Sequence, residues 1–322
     1  MKTIAVLTSG GDAPGMNACL RAVVRTALHN GLQIHGVMRG YEGLMDAEFI
    51  PLDAKAVSNI IHRGGTILKT ARSKRFLTEE GQMLAAKQLE KHKIEGLVVI
   101  GGDGTFKGAD ELQKKTKVKI MGCPGTIDND LVGTDFAIGY DTAINTVVDA
   151  VDKIRDTAES HERLFFVEVM GRDAGLIALR SGIGAGAEAI LIPETPTHID
   201  DLIKRLERGR KNKSSKIVIV SEHESAGGAF VVAEKVKKQL PYYDTRVTIL
   251  GHIQRGGNPS CMDRVNASRM GFAAVEALVG GRTGEMVGII DKQICYTPFA
   301  NAVKHREGLD LHLLRMMEIL SL

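Results

Sequence analysis

The chain carries almost no surplus charge: 42 Lys and Arg against 39 Asp and Glu leave a formal +3 over 322 residues. That is too little to argue for a nucleic-acid partner. Cysteine is sparse too. Cys19, Cys123, Cys261 and Cys295 are scattered without paired spacing, which gives neither a zinc signature nor a disulfide framework and implies a reducing, cytoplasmic setting. No apolar stretch approaches membrane-spanning length, and the one that ends at Thr8 and Gly10 is too short for a signal peptide. A soluble, unexported protein with no membrane partner is expected. There is no Gly-x-x-x-x-Gly-Lys-Ser/Thr, which excludes a Walker-type P-loop, and the opening turn does not match Gly-x-Gly-x-x-Gly. Low-complexity segments and repeats of fixed period are absent as well.

What is present is an alternation of short Val/Ile/Leu runs with helical patterns, the mark of a mostly parallel sheet covered by helices on both faces. Strands are predicted near residues 2–8, 33–38, 96–101, 118–122, 164–169, 189–192, 216–221, 247–250 and 286–290. Nine strands are many for one twisted sheet, so two sheets in two domains are expected. One helix is predicted from Gly15 to Asn30, stopped by Gly31, with Arg21 and Arg25 four apart on one face. A second is predicted from Thr142 to Ala158, after a domain junction at Gly139-Tyr140-Asp141. The cations between Lys204 and Lys216 form the one basic run, read either as a solvated helix face or as an anion site.

Three predicted strands end in polar, Gly-rich turns: Thr8-Ser9-Gly10-Gly11-Asp12, Gly101-Gly102-Asp103-Gly104-Thr105 and Pro124-Gly125-Thr126-Ile127-Asp128-Asn129-Asp130. Ligands in open α/β sheets bind at carboxyl ends of strands, so these turns argue for one phosphate-handling cleft. Paired glycines let backbone N–H groups approach a phosphate, and Asp103 can hold a Mg2+. Phosphoryl transfer to an alcohol needs a base, a metal and cations or donors around the transferred group. Thr126, Asp128 and Asp130, at alternate positions, share one side if their segment is extended. Such an Asp-Asn-Asp string is also a common turn. Arg172 and Arg255 each follow a predicted strand beside glycine, where a guanidinium can bind phosphate through two parallel bonds.

Together with Met170-Gly171-Arg172 and Leu250-Gly251-His252-Ile253-Gln254-Arg255-Gly256-Gly257, these motifs resemble, in family order, the bacterial ATP-dependent 6-phosphofructokinases. The resemblance covers nearly the whole chain. It implies an α/β fold of two similar three-layer αβα domains: 1–138 plus 254–305, larger and ATP-binding, and 139–253 plus 306–322, smaller and fructose 6-phosphate-binding. The activity implied is transfer of the γ-phosphoryl of ATP to the 1-hydroxyl of fructose 6-phosphate, with Mg2+, in a homotetramer.

By the same resemblance Asp128 is the general base, Asp103 the route to Mg2+, and Thr126 and Arg172 stabilise the transferred phosphoryl. ATP is met by Gly11, Tyr41, Arg72, Ser73, Gly102, Asp103, Gly104, Thr105 and Gly108. The sugar phosphate is met by Thr126, Ile127, Asp128, Asp130, Met170, Gly171, Arg172, Glu222, His252, Ile253, Gln254 and Arg255, with Arg163 and Arg246 reaching it across a subunit boundary. An effector site for ADP or phosphoenolpyruvate is implied at Arg21, Arg25, Arg155, Gly186, Glu188, Lys211 and Lys213.

Some positions bear on the choice of donor and effector. Pyrophosphate-dependent relatives carry an Asp after Gly-Gly-Asp and a Lys after the Pro of the catalytic loop; this chain has Gly104 and Gly125, which leaves room for a nucleotide and favours ATP. It departs from many relatives at Ala54, where an effector-site Arg is usual, at Ser73-Lys74-Arg75 on the donor side, at Leu176, and at Ser225-Ala226-Gly227-Gly228. A noncatalytic sugar-phosphate sensor would be marked by loss of Asp128, Asp103 or Arg172, and all three are present. A dinucleotide-binding oxidoreductase lacks its glycine fingerprint and its ribose-binding acid.

Overall fold

The computed structural model describes residues 1–161, 163–208, 215–302 and 311–320. In chain order it begins β1 (Thr3–Thr8), α1 (Met16–His29), β2 (Gln33–Val37), α2 (Gly40–Met45), β3 (Phe49–Pro51) and α3 (Glu79–Lys91). Next come β4 (Gly96–Gly101), α4 (Asp103–Gln113), β5 (Lys119–Pro124), α5 (Tyr140–Glu159), β6 (Arg163–Val169) and α6 (Leu176–Gly184). They are followed by β7 (Ala189–Leu191), α7 (Ile199–Arg208), β8 (Lys216–Ser221), α8 (Gly228–Gln239) and β9 (Asp244–Ile249). The chain closes with α9 (Cys261–Val279), β10 (Glu285–Ile290), β11 (Gln293–Pro298) and α10 (Leu311–Leu320). Two compact units result, Met1–Thr142 with Arg255–His305 and Ala143–Gln254 with Arg306–Leu322.

The first unit is built on a seven-stranded sheet ordered β11-β10-β5-β4-β1-β2-β3, parallel except at its two edges. Residues 4–7 of β1 and the whole of β4 carry no polar side chain because both faces are covered. One face, with Ala5, Leu7, Leu97, Val99 and Ile120, packs on Leu44, Leu89, Phe106 and Leu112 from α2, α3 and α4. Helices α1 and α9 pack on each other, and α9 also packs on β5 and β10. Gly271 of α9 permits that approach, since an added Cβ would sit 2.6 Å from the Cys19 carbonyl oxygen of α1.

The second unit has a parallel four-stranded sheet ordered β7-β8-β6-β9. Leu164, Phe166, Val218 and Val220 pack on Leu202 and Leu206 of α7 and on Val232 and Val236 of α8. Helix α6 lies against β7 and β8, where Gly182 leaves room for Ile190.

The two antiparallel edge strands, β3 and β11, were not expected from sequence. β3 is three residues long and ends in proline, and β11 is only half-buried, so neither carries the continuous apolar run that marks an internal strand. β9 also starts earlier than its predicted 247, at Asp244; its first three residues are polar and partly exposed and so carry no apolar run.

Candidate active site

In the first unit three strand ends are stitched into one surface. The Ser9 amide donates to the Ile100 carbonyl (2.9 Å) and the Gly125 amide to that of Gly101 (2.8 Å). The Thr105 hydroxyl donates to the Ser9 carbonyl (3.2 Å), and Thr70 closes the other side on the Gly10 carbonyl (2.8 Å). Close approach requires glycine at one of these turns and crowds only a flexible side-chain end at another. A Cβ on Gly101 would lie 2.2 Å from Thr105 Oγ1, and one on Gly11 would lie 2.8 Å from Arg255 Nη1. Arg255 thus reaches the β1 turn, donating to the Asp12 carbonyl (3.2 Å). At Gly104, by contrast, an added Cβ would meet nothing within 4 Å.

The catalytic-loop candidates are brought together here, though not by the extended alternation considered above. β5 ends at Pro124, the chain bends at Ile127–Asp128, and Asn129 is left-handed (φ 52°). Contact comes through the turn: the Asp128 amide donates to Thr126 Oγ1 (3.2 Å). Thr126, Ile127, Asp128 and Asp130 are all buried, and an added Cβ on Gly102 would lie 3.6 Å from Thr126 Cβ. The loop leans on the segment that follows it. The Thr126 amide donates to the Ile138 carbonyl (3.1 Å), and the Ile138 amide donates back to Pro124 (2.8 Å). Asn129 bonds the Ala137 amide through Oδ1 (2.6 Å) and the Asp135 carbonyl through Nδ2 (3.0 Å).

Asp103 opens α4, and its carboxylate is met by Lys107 Nζ at 2.8 Å. Among the described residues no group of three or more His, Cys, Asp or Glu converges on a metal position. One carboxylate beside a glycine turn fits Mg2+, which keeps several waters and takes its remaining ligands from phosphates. Among the nucleotide candidates the Tyr41 ring stacks on Phe76 (3.9 Å, 4°), and its hydroxyl donates to the Thr105 carbonyl (2.7 Å). Burial pushes that phenol well above its ordinary pKa. Gly108 sits beneath the pair, its Cβ position 2.9 Å from Phe76 and 3.0 Å from Tyr41. Ser73 accepts from the Phe76 amide (3.1 Å), and Arg72 is exposed. The unusual Arg75 joins an ion-pair chain: it meets Glu42 (2.6 Å) and Asp46 (3.0 Å), and Asp46 also meets Arg39 (3.1 Å).

In the second unit the turn after β6 holds the sugar-side candidates. Gly171 approaches the Ala174 carbonyl so closely that a Cβ would lie 2.5 Å from it, and Arg172 is left-handed (φ 53°) and exposed. Glu222 Oε1 accepts from the amides of Gly171 (3.2 Å) and Arg172 (2.8 Å), and the fully buried Gln254 accepts from that of Met170 (2.9 Å). His252 and Ile253 are exposed on a 3-10 turn. The segment Ser225-Ala226-Gly227-Gly228 leads into α8 and is held by Glu224, which accepts from the amides of Ala226 and Gly228, each at 2.8 Å.

Arg163 and Arg246 are brought together elsewhere. Asp244 bridges them, at 2.8 Å to Arg163 Nε and 3.0 Å to Arg246 Nη2. The two guanidiniums, Arg163's bond first, hold that carboxyl below the usual carboxylate range. Arg163 opens β6 whereas Met170 follows its end, so at ~3.3 Å per residue the pair lies roughly 20 Å along the strand from the 170–172 turn.

The effector candidates fall in separate places. Arg21 and Arg25 share a face of α1, where burial first and the charge of Arg25 second lower the pKa of Arg21. Arg155 donates to the carbonyls of Ala185 and Gly186, and the buried Glu188 accepts from the Ile217 amide. Ala54 and Lys55 are exposed, and Lys211 and Lys213 lie outside the described residues. A groove of ≈ 1230 Å³ lined by Ile94, Val118, Lys87, Lys93, Lys117 and Lys119 lies at the amino ends of the first sheet's strands, away from the site.

Sequence reasoning passed over Asn17 and Asn129 as supports. Asn17 holds the 63–67 loop through the Arg63 and Gly64 carbonyls (both 3.1 Å) and the Ile67 amide (2.9 Å). The signal available was a polar residue inside each motif at a position where solvent access was not needed.

Comparison with known proteins gives one consistent result. The pattern of the family described as Phosphofructokinase matches residues 3–278. The chain is 53% identical over its whole length to the ATP-dependent 6-phosphofructokinase of Cytophaga hutchinsonii, covering 98% of it. It is 54% identical to ATP-dependent 6-phosphofructokinase 2 of Bacteroides thetaiotaomicron, covering 99% of it. Among solved structures, phosphofructokinase from Saccharomyces cerevisiae matches all of this chain at 36% identity with a TM-score of 0.88; the chain spans 48% of that longer protein.

Proposed function

The chain belongs to the phosphofructokinase family, and from that we propose that it transfers the γ-phosphoryl of ATP to the 1-hydroxyl of fructose 6-phosphate, giving fructose 1,6-bisphosphate and ADP. The observation that carries the reading is the buried Thr126–Asp128 turn, bonded into the Gly101–Gly102 strand end beside a Gly104 with open space where a side chain would stand.

Asp128 takes the proton of the attacking hydroxyl, and its buried position keeps bulk water from competing. Thr126 donates to the transferring phosphoryl, and Arg172 supplies a planar cation to it. Gly11, Gly102 and Gly104 leave the backbone bare for the donor phosphates, with Thr105 and Gly108 beside Tyr41 framing the nucleotide and Arg72 and Ser73 at its edge. Asp103 would hold the Mg2+, which would supply positive charge against the donor phosphates. Met170, Gly171, Glu222, His252, Ile253, Gln254 and Arg255 receive the sugar phosphate, with Ile127 and Asp130 on the loop side.

Arg163 and Arg246 serve the 6-phosphate of a neighbouring copy, since they stand at the far end of β6 from the turn their own chain would offer. The active form is accordingly a homotetramer with shared sites. Arg21, Arg25, Arg155, Gly186, Glu188, Lys211 and Lys213 form an effector site for ADP or phosphoenolpyruvate, which Ala54 weakens. No helix among the described residues is long and apolar enough to cross a membrane, in keeping with a cytoplasmic enzyme. The test is a coupled assay of fructose 1,6-bisphosphate formation run in parallel with ATP and with pyrophosphate. Turnover with ATP is the expected result; turnover with pyrophosphate alone, or with neither, would overturn the reading.

A further inference from the structure

We propose that Asp263 is a positioning residue for phosphoryl transfer, acting through the backbone of residues 138–142 on the Thr126–Asp128 turn. The inference rests on the reading of Asp128 as the base.

Asp263 lies in the first turn of α9, 2% exposed, with its amide donated to the N-cap Ser260 Oγ (3.1 Å). Its Oδ1 accepts from the Gly139 amide (2.8 Å). Its Oδ2 accepts from the Thr142 amide (2.8 Å) and from the Thr142 hydroxyl. Thr142 Oγ1 in turn accepts from the Ser260 amide (3.0 Å), and Ser260 Oγ bonds Asp141, so one polar knot ties the start of α9 to the start of α5. Three donors converging on one side chain call for a carboxylate, which only accepts. An asparagine would turn an N–H toward one of them.

The knot is one residue from the catalytic loop. Gly139, which Asp263 holds, adjoins Ile138, whose amide and carbonyl bond Pro124 and Thr126 (2.8 and 3.1 Å). Neighbouring parts hold the segment in place. Gly139 has φ 102° and a Cβ position 2.7 Å from Ala13 Cβ, and Gly15 leaves room for Ile138, its own Cβ position lying 2.8 Å from Ile138 Cγ2. Release of Gly139 therefore moves the Ile138 carbonyl, and with it the Thr126 amide and the hydroxyl on which the Asp128 amide rests. A misplacement of ~1 Å at reacting groups costs on the order of 100-fold in rate, so a small shift at this hinge reads out in turnover.

A role in capping α5 alone would lower stability without singling out the chemistry. The experiment that separates the two measures kcat, the KM for fructose 6-phosphate and the thermal midpoint for wild type, Asp263→Asn, Asp128→Asn and the double variant. Asp263→Asn is expected to lower kcat by at least ~10-fold with KM within about twofold, and to add less than about twofold in the Asp128→Asn background, because the group it positions is already gone. The same fold-loss in both backgrounds, or an unchanged kcat in the single variant, would overturn the proposal. Unchanged kcat in Asp128→Asn alone would instead sink the assignment of the base. If Asp263→Asn does not fold, Thr142→Ser and Thr142→Val decide. The serine keeps the hydroxyl and should hold kcat, the valine should lower it, and equal kcat in the two would refute the proposal.

Discussion

Placing a carboxylate at Gly104 should separate stability from donor use. Gly104 is the second residue of α4, and its Cβ position is open to 4 Å, so the first side-chain atom of Gly104→Asp meets no clash. Replacing a helical glycine and putting an acid in the first turn each stabilise by about 0.3 to 1 kcal/mol. Repulsion from neighbouring Asp103 offsets part of this, and the net change in unfolding free energy stays within about 1 kcal/mol of zero. The nucleotide feels the change differently. A like-charge pair ~6 Å apart at an effective dielectric of ~20 costs about 2.8 kcal/mol, roughly a 100-fold factor. The expected outcome is a thermal midpoint shifted by no more than about 3 °C with kcat/KM for ATP down by about 100-fold and the KM for fructose 6-phosphate little changed. The assay is the coupled one with ATP and pyrophosphate as donors, beside a thermal melt. A fully folded variant with wild-type ATP kinetics would refute the argument that this open glycine faces the donor.

Asp128→Asn should lower kcat by at least ~100-fold while leaving sugar binding measurable by calorimetry, the reach of a positioned base; unchanged turnover would remove it from that role. Arg163→Ala or Arg246→Ala should raise the KM for fructose 6-phosphate far more than it lowers kcat, and a pure kcat defect would contradict a place on the 6-phosphate. With Ala54 where a guanidinium is usual, effector binding should be weaker by about 1.5 to 3 kcal/mol. Rate curves with and without phosphoenolpyruvate check this, and strongly sigmoidal curves with micromolar inhibition would refute it.

The internal strands were legible because burial on both faces writes an unbroken apolar run, as in Gly96–Gly101, and β1, β4 and β5 run on into glycine-bearing turns. β3 and β11 were not, because an edge strand buried on one side needs no such run. At the catalytic loop the residue types pointed to the chemistry but not to its geometry. Alternate spacing suggested one extended face, whereas a left-handed Asn129 and a bend bring Thr126 and Asp128 together. Long-range supports were invisible for a different reason. Asp263 reaches Gly139 and Thr142 across more than a hundred residues, and nothing local in the sequence records which helix start its carboxylate will meet. The roles of Arg163 and Arg246 came from resemblance; the shared Asp244 could be read only once β6 and β9 lay side by side.

If the arginine pair receives a phosphate as proposed above, the shared carboxylate makes it a filter. Two guanidiniums and one Asp244 amount to a single net positive charge, so an incoming anion must outbid a resident one. A monoanion offers no more charge than Asp244 already does, while a phosphate ester that has lost both protons offers twice as much. The dianionic ester takes up one proton near pH ~6, and below that the contest becomes even. On that proposal a singly charged anion gains nothing over the counter-ion the protein brings with it, and acidification narrows the margin by which a dianionic phosphate displaces it.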